Sequence, residues 1–203
     1  VVGEILVKFQ PDANNHAIDV IESEGCEAVV PGLLDFFLYC TYNPIWKQEN
    51  LGVGNKWTSW ISRRGIDIIE GYRRHIVKKM KDAGIFQLPV GITHMAEKSG
   101  SVLSCGNACG EGWFLTAEMI ELIESGVPNI ICAQPFACLP NHVTGKGMIK
   151  ELRRQYPHTN IIPIDYDPGA SEANQLNRIK LMVSTAHIQH ENVQNGQNAT
   201  EKA

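Results

Sequence analysis

Four short apolar runs, each separated from the next by helical periodicity, constrain this chain more than any other feature. They fall at residues 4–9, 26–30, 129–133 and 160–165. Parallel strands need a crossover of a dozen or more residues, usually a helix, so this alternation predicts a parallel sheet covered by helices. The first unit reads GEILVKF, a turn at Pro11–Asn15, a helix over Asn14–Glu24 with Ala17, Ile18 and Ile21 on one side, a stop at Gly25, and the run from Cys26 to Val30. That is a βαβ unit of about minimum size. Further helices are expected over Leu33–Ile45, Trp57–Lys81, about Thr93–Lys98, Trp113–Glu124, Gly145–Gln155, and from a Ser171 cap to about Thr185. The fold class expected is α/β: a Rossmann-like open parallel sheet of about four strands with helices on both faces. Residues 1–187 are expected to form a single domain, and residues 188–203, polar and with little to bury, a disordered tail.

Composition narrows the function. Eighteen basic against 22 acidic residues give a net charge of −4, so a diffuse basic footprint for nucleic acid is absent. No apolar run reaches the roughly 20 residues of a membrane span, and the start lacks the pattern of a signal peptide. The chain begins inside a strand-like run, which suggests a piece of a longer polypeptide. In Trp57–Lys81, Trp60, Ile61, Ile68, Ile69, Tyr72, Ile76 and Met80 recur at helical spacing among arginines and lysines. That basic side reads as a solvated face or as a surface for an acidic partner.

Six cysteines, at 26, 40, 105, 109, 132 and 138, point to thiols or metal ligands rather than a disulfide framework. Cys26 and Cys40 sit in apolar surroundings and read as small buried hydrophobes. Three segments could carry chemistry. The loop Ser104–Gly112 holds Cys105, Gly106, Cys109, Gly110 and Gly112 before a helix. It could admit a ligand's anion to backbone N–H groups, or be a plain turn. It matches neither a P-loop nor a dinucleotide fingerprint. The segment Cys132–His142 leaves a strand and contains Cys132, Cys138, two prolines, Asn141 and His142. Its cysteine spacings match no zinc ribbon or ferredoxin, though single thiolates from separate loops can hold an iron–sulfur cluster. In the third, Asp165–Arg178, two aspartates at a strand end could bind a cation or simply make the turn.

The stretches GEILVKFQPDANNHAIDVIESEGCEAVVPGLLDFFLY, GEGWFLTAEMIELIESGVPNIICAQPFACLPNHVTGKGMIKELRRQYP and IDYDPGASEANQLNRIKLM resemble the last part of large bacterial acyl-CoA dehydratase activases. These are related to the 2-hydroxyglutaryl-CoA dehydratase component family and to double-cubane cluster proteins. The resemblance covers about residues 1 to 187. It implies a cytoplasmic protein of an anaerobe with Rossmann-like domains around a [4Fe-4S] cluster. It also implies ATP-coupled, low-potential electron transfer from an activator ATPase, either upstream in the same polypeptide or on a separate subunit. Acyl-CoA is the implied small-molecule ligand. The isolated chain is expected to be inactive as a lyase or activase. In this resemblance Cys138, within PFACLPNH, matches the family's cysteine and is the best cluster ligand. Cys105, Cys109 and Cys132 are weaker metal candidates, and Gly106, Gly110, Gly112 and Asn141 are candidate cofactor-binding positions. The remaining ligands would lie outside this chain. The alternative is a non-catalytic docking module for an activator or partner subunit.

Overall fold

The computed structural model describes residues 1–85 and 88–200. The chain divides into two compact units, Val1–Val30 with Val127–Ala203, and Pro31–Gly126.

The first unit is α/β. Its open sheet has three parallel strands among the described residues: β1 (Val2–Gly3), β2 (Asn129–Pro135) and β3 (Asn160–Tyr166), in the spatial order β1-β2-β3. Strand residues alternate between faces. Ile131 and Ala133 of β2 and Ile164 and Tyr166 of β3 share one face and join a core with Val7, Ala17, Ile21, Ile179, Met182 and Val183. The last six come from α1 (Ile5–Phe9), α2 (Ala17–Ser23) and α8 (Glu172–Thr200).

Two expected strands are absent. Residues 5–9 are helical because Glu4 caps them: the Val7 N–H donates to its carboxylate at 2.9 Å, and the Lys8 N–H to its carbonyl at 2.7 Å. A short apolar run such as ILVKF carries no periodicity that separates strand from helix, and the cap decides. Residues 26–30 form no strand either. Cys26, Ala28 and Val30 do alternate onto the core as strand residues would, and the Val1 nitrogen donates to the Val29 carbonyl at 2.6 Å. One such bond does not make a ladder, so the two-residue edge strand β1 stands where two longer strands were expected.

Gly3 lets β1 turn into α1. Its φ of +139° is a conformation essentially reserved for glycine, and an added Cβ would lie 1.8 Å from the Ala133 carbonyl oxygen. Without that side chain the next N–H, of Glu4, donates to the same oxygen at 3.0 Å.

The helix α8 carries helical backbone through residues 188–200, where the sequence predicts a disordered tail; residues 201–203 of that tail lie outside the described residues. The stretch has no proline, and adding a residue to an existing helix costs far less than starting one.

The second unit is helical: α3 (Leu33–Leu51), α4 (Lys56–Ala83), α5 (Ile92–Gly100) and α6 (Gly112–Glu124). Its core gathers Leu38, Tyr39, Ile92, Met95, Trp113 and Phe114. Trp113 meets Tyr39 edge-on at 5.1 Å and donates its indole N–H to Asn43 at 3.0 Å, so the buried ring is fully satisfied. Asn55 caps α4 by accepting from the Trp57 N–H at 2.9 Å, and Gly84, at φ +69°, ends it. The helix α7 (Ile149–Gln155) belongs to the first unit and connects β2 to β3.

Replacing Gly3 by alanine is expected to destabilise the protein by about 3 kcal/mol, the sum of backbone strain and forced overpacking. Gly52→Ala, at φ +64° with nothing within 4 Å of the new Cβ, should cost only about 1 kcal/mol. Urea unfolding of the two variants measures both, and a Gly3→Ala loss no greater than that of Gly52→Ala contradicts the account.

Candidate functional site

The loop after β2 is the least regular backbone of the first unit. Ala137 takes φ +60°, unusual for a residue with a side chain. A π-turn then covers Asn141–Gly145, followed by a 3-10 turn over Lys146–Met148 and then α7. Such π segments and left-handed residues cluster at functional sites, because the fold must hold them against their own strain.

Four of the loop's side chains define its geometry. The buried Asn141 donates its amide to the Cys138 sulfur at 3.1 Å. Cys138 itself is half-buried. The carbonyl of Cys138 accepts from the His142 backbone N–H at 2.9 Å and lies 2.9 Å from His142 Nδ1. A carbonyl only accepts, so Nδ1 carries the proton and Nε2 is turned to Asp165 Oδ1, 4.0 Å away at the end of β3. Lys146 Nζ stands 3.7 Å from Asp165 Oδ2. Gln134, the last buried residue of β2, donates its amide to Asp165 Oδ1 at 2.5 Å. Its own Oε1 is buried and, among the described residues, has no hydrogen-bond partner.

Asp165 is therefore the point where the two strand ends meet. Its backbone carbonyl accepts from Gln175 of α8 at 2.9 Å, and Gln175 accepts from Asn15 at 2.7 Å. Beside it Tyr166 is buried, and burial pushes its phenol up to about 12, so it stays neutral at physiological pH. This arrangement sits beyond the carboxyl ends of β2 and β3, where open parallel sheets bind ligands. Cys138, Asn141, His142 and Asp165 were visible from sequence. Gln134 and Lys146 were not among the site candidates, Lys146 being set aside because its glycine–lysine pair lacks the upstream glycine of a P-loop; the available signal was their place at the two ends of the stretch QPFACLPNHVTGK.

The other cysteine candidates are placed differently. Cys132 lies in the middle of β2 with no exposure. Cys105 and Cys109 belong to the second unit with Gly106, Gly110 and Gly112. Cys105 is buried, donates to the Ala96 carbonyl at 3.4 Å, and is pushed up to about 11 by desolvation. It is a thiol, not a thiolate, at neutral pH. Cys109 is exposed. A cleft of about 420 Å³ opens beside Cys105, lined also by Tyr42, Trp46, Glu97 and Leu103.

The glycine loop turns much of its hydrogen bonding inward. The Asn107 carbonyl accepts from Trp113 N–H at 2.7 Å, the Ala108 N–H donates to Gly106 O at 3.0 Å, and the Phe114 N–H to Glu111 O at 3.0 Å. The Gly110 carbonyl accepts from the Tyr39 hydroxyl at 2.8 Å. Gly112 has φ +46°, and a Cβ there would meet Asn107 O at 2.1 Å and the Tyr39 hydroxyl at 2.6 Å. The loop is thus a clasp that seats α6 on α3, and two of the first-turn donors of α6, the Trp113 and Phe114 N–H groups, are already spent on the chain itself.

Among the described residues, no three His, Cys, Asp or Glu side chains converge to hold a metal ion. Among the described residues the thiols do not assemble a complete set of cluster ligands. One thiolate does fit, at Cys138, because it is partly exposed and its sulfur already receives an N–H, the contact by which proteins tune cluster sulfur. Among the described residues no helix is long and apolar enough to cross a membrane. No family model, curated protein or solved structure matches the chain.

The thiols should react in the order of their burial. Cys40 is exposed and Cys26 half-buried, where apolar sequence surroundings predict buried thiols, so iodoacetamide at pH 8 is expected to modify Cys40 and Cys109 first, then Cys26 and Cys138, and to leave Cys105 and Cys132 unmodified until the protein unfolds. Peptide mapping by mass spectrometry reads the order, and early labelling of Cys105 would show that its thiol is neither buried nor raised as described.

Proposed function

We propose that this chain is the C-terminal domain of an iron–sulfur protein of the acyl-CoA dehydratase and activase type, and that its open sheet is part of a Rossmann-like layer with helices on both faces. One observation carries the reading. Two of the stretches on which the resemblance rests, PFACLPNHVTGKG and IDYDPGASEANQLNRIK, fold against each other at one place. His142 and Lys146 of the first face Asp165 of the second at 4.0 and 3.7 Å. Stretches that served only packing would have no reason to join polar side chains at a sheet's ligand-binding end.

In this reading Cys138 supplies a single thiolate, and the other ligands come from the rest of a longer polypeptide or from a partner. The cluster, when bound, supplies one-electron transfer at low potential. The chain's own residues do the positioning. Asn141 fixes the Cys138 sulfur, and the π-turn fixes Asn141. Gln134 and Lys146 hold Asp165 across the two strand ends, which ties the loop to the end of β3. The isolated chain would then be inactive and cytoplasmic, with an activator ATPase as partner and acyl-CoA as the small-molecule ligand.

The test uses the full-length polypeptide, purified and reconstituted without oxygen. Cys138→Ser is expected to remove one cluster equivalent of iron and sulfide and the matching visible absorption. The exposed Cys40→Ser should leave both unchanged. Full iron content in Cys138→Ser ends the assignment.

A further inference from the structure

The helix α4 has two apolar sides, and only one is covered. Its inner side carries Ser59, Ile66, Ile69 and Arg73, where Ile66 and Ile69 pack on the core of the second unit and Arg73 is buried against Asp35 and Glu70. On the opposite side stand Trp57, Trp60, Ile61, Ile68, Tyr72 and Ile76, all exposed, with Trp57 at 72% and Tyr72 at 76%. Positions 57, 61, 68, 72 and 76 recur in steps of four and seven, which puts them on one side of a helix. At 1.5 Å per residue the stripe runs about 29 Å. Single exposed hydrophobes need no explanation, but a continuous stripe of this kind marks an interaction surface.

Charge says what covers it. The helix holds eight basic and three acidic residues in a chain whose net charge is −4. Arg63 pairs with Glu49 and Arg64 with Asp67, and Arg64 also lies over the Trp60 ring at 5.8 Å. Among the described residues Arg74, Lys78, Lys79 and Lys81 form no ion pair. Lys79 falls within the apolar stripe, and Arg74 and Lys78 flank it. A second copy brings the same eight basic and three acidic residues and so no surplus of carboxylates to meet these cations, which costs affinity. An anionic bilayer would have to approach a molecule that is negative outside this helix. The stripe is also narrow and carries the residue types, Trp, Tyr and Arg, that dominate protein interfaces.

We propose that this stripe docks an acidic amphipathic helix of a protein partner. The partner's apolar residues would lie along Trp57–Ile76, and its carboxylates would pair with Arg74, Lys78 and Lys79, the mode in which a helix is read by anchors at i, i+4 and i+7. The inference does not rest on the iron–sulfur reading, since neither the thiols nor Asp165 take part.

The probe is a labelled synthetic 20-residue helical peptide with leucine at its heptad a and d positions and glutamate on both flanks, titrated with the chain and followed by fluorescence anisotropy. Saturable binding is expected, weakened at least about tenfold when salt rises from about 50 to 500 mM, as for contacts between exposed charges. Ile68→Asp, a change at an exposed position that should leave the circular dichroism spectrum intact, is expected to abolish binding. The double variant Arg74→Glu/Lys78→Glu is expected to prefer the same peptide carrying lysine flanks. No binding of the glutamate peptide would overturn the proposal, as would equal binding of both peptides by the unaltered chain or full binding by folded Ile68→Asp. Two further results would also overturn it: tighter binding to phosphatidylserine vesicles that is lost in Ile68→Asp, and self-association in sedimentation that is lost in that variant. These would assign the stripe to a membrane or to a second copy.

Discussion

Strand β2 is hydrogen-bonded along both edges, and the first unit depends on that pairing. On one side Val2 and Gly3 pair with Cys132 and Ala133, and on the other the strand runs in register with β3 from Asn129–Asn160 to Pro135–Tyr166. A buried central strand must satisfy each N–H and C=O through its neighbours, because no water reaches them. This fixes the register, and register fixes the site. Gln134 and Asp165 are register partners, so their side chains emerge on the same face at the same height. A shift of one residue would turn one of the two to the opposite face.

The elements most legible in the sequence were those whose signal is redundant. The α4 helix announced itself through many turns of periodicity, and it runs Lys56–Ala83 against the expected Trp57–Lys81. Strands β2 and β3 were recognisable because they are short apolar runs bounded by turn residues. The runs at 4–9 and 26–30 had the same local appearance, yet one is helical and the other joins no ladder. Their state is decided by a single carboxylate cap and by the lack of a pairing partner, and neither is encoded in hydrophobic period. The α3 helix extends to Leu51 through Pro44, where sequence reading stops at Ile45; proline inside a helix is unfavourable but is tolerated when packing compensates.

At the candidate site, the sequence names Cys138, Asn141 and Asp165, and the rule for open parallel sheets gathers the loops that follow β2 and β3 at one end, but which side chains meet there was not legible. Their meeting depends on the register of β2 with β3 and on a π-turn, which no spacing rule foretells. The glycine loop shows the opposite difficulty. Its glycines are needed, but at Gly112 the reason is the Asn107 carbonyl and the Tyr39 hydroxyl pressed against the backbone. Glycines spaced for a ligand and glycines spaced for a tight clasp look the same until the donors are followed to their acceptors.

Following donors also separates the two places in the first unit where a cysteine lies beside a histidine. Cys26 Sγ is 3.8 Å from His187 Nε2, a distance that invites a catalytic dyad. The same nitrogen, however, lies 2.9 Å from the Glu24 carbonyl and must donate to it, so it has no lone pair with which to take the Cys26 proton. At Cys138 the histidine does not face the sulfur at all. His142 spends its Nδ1 proton on the Cys138 carbonyl, and the sulfur receives the Asn141 amide. An imidazole beside a thiol serves to deprotonate it for nucleophilic attack, whereas an amide N–H donated to sulfur suits a thiolate that stays in place as a ligand. Neither pair has the geometry of a cysteine nucleophile with its base. The Cys138 environment is instead that of a sulfur held still by the Asn141 amide.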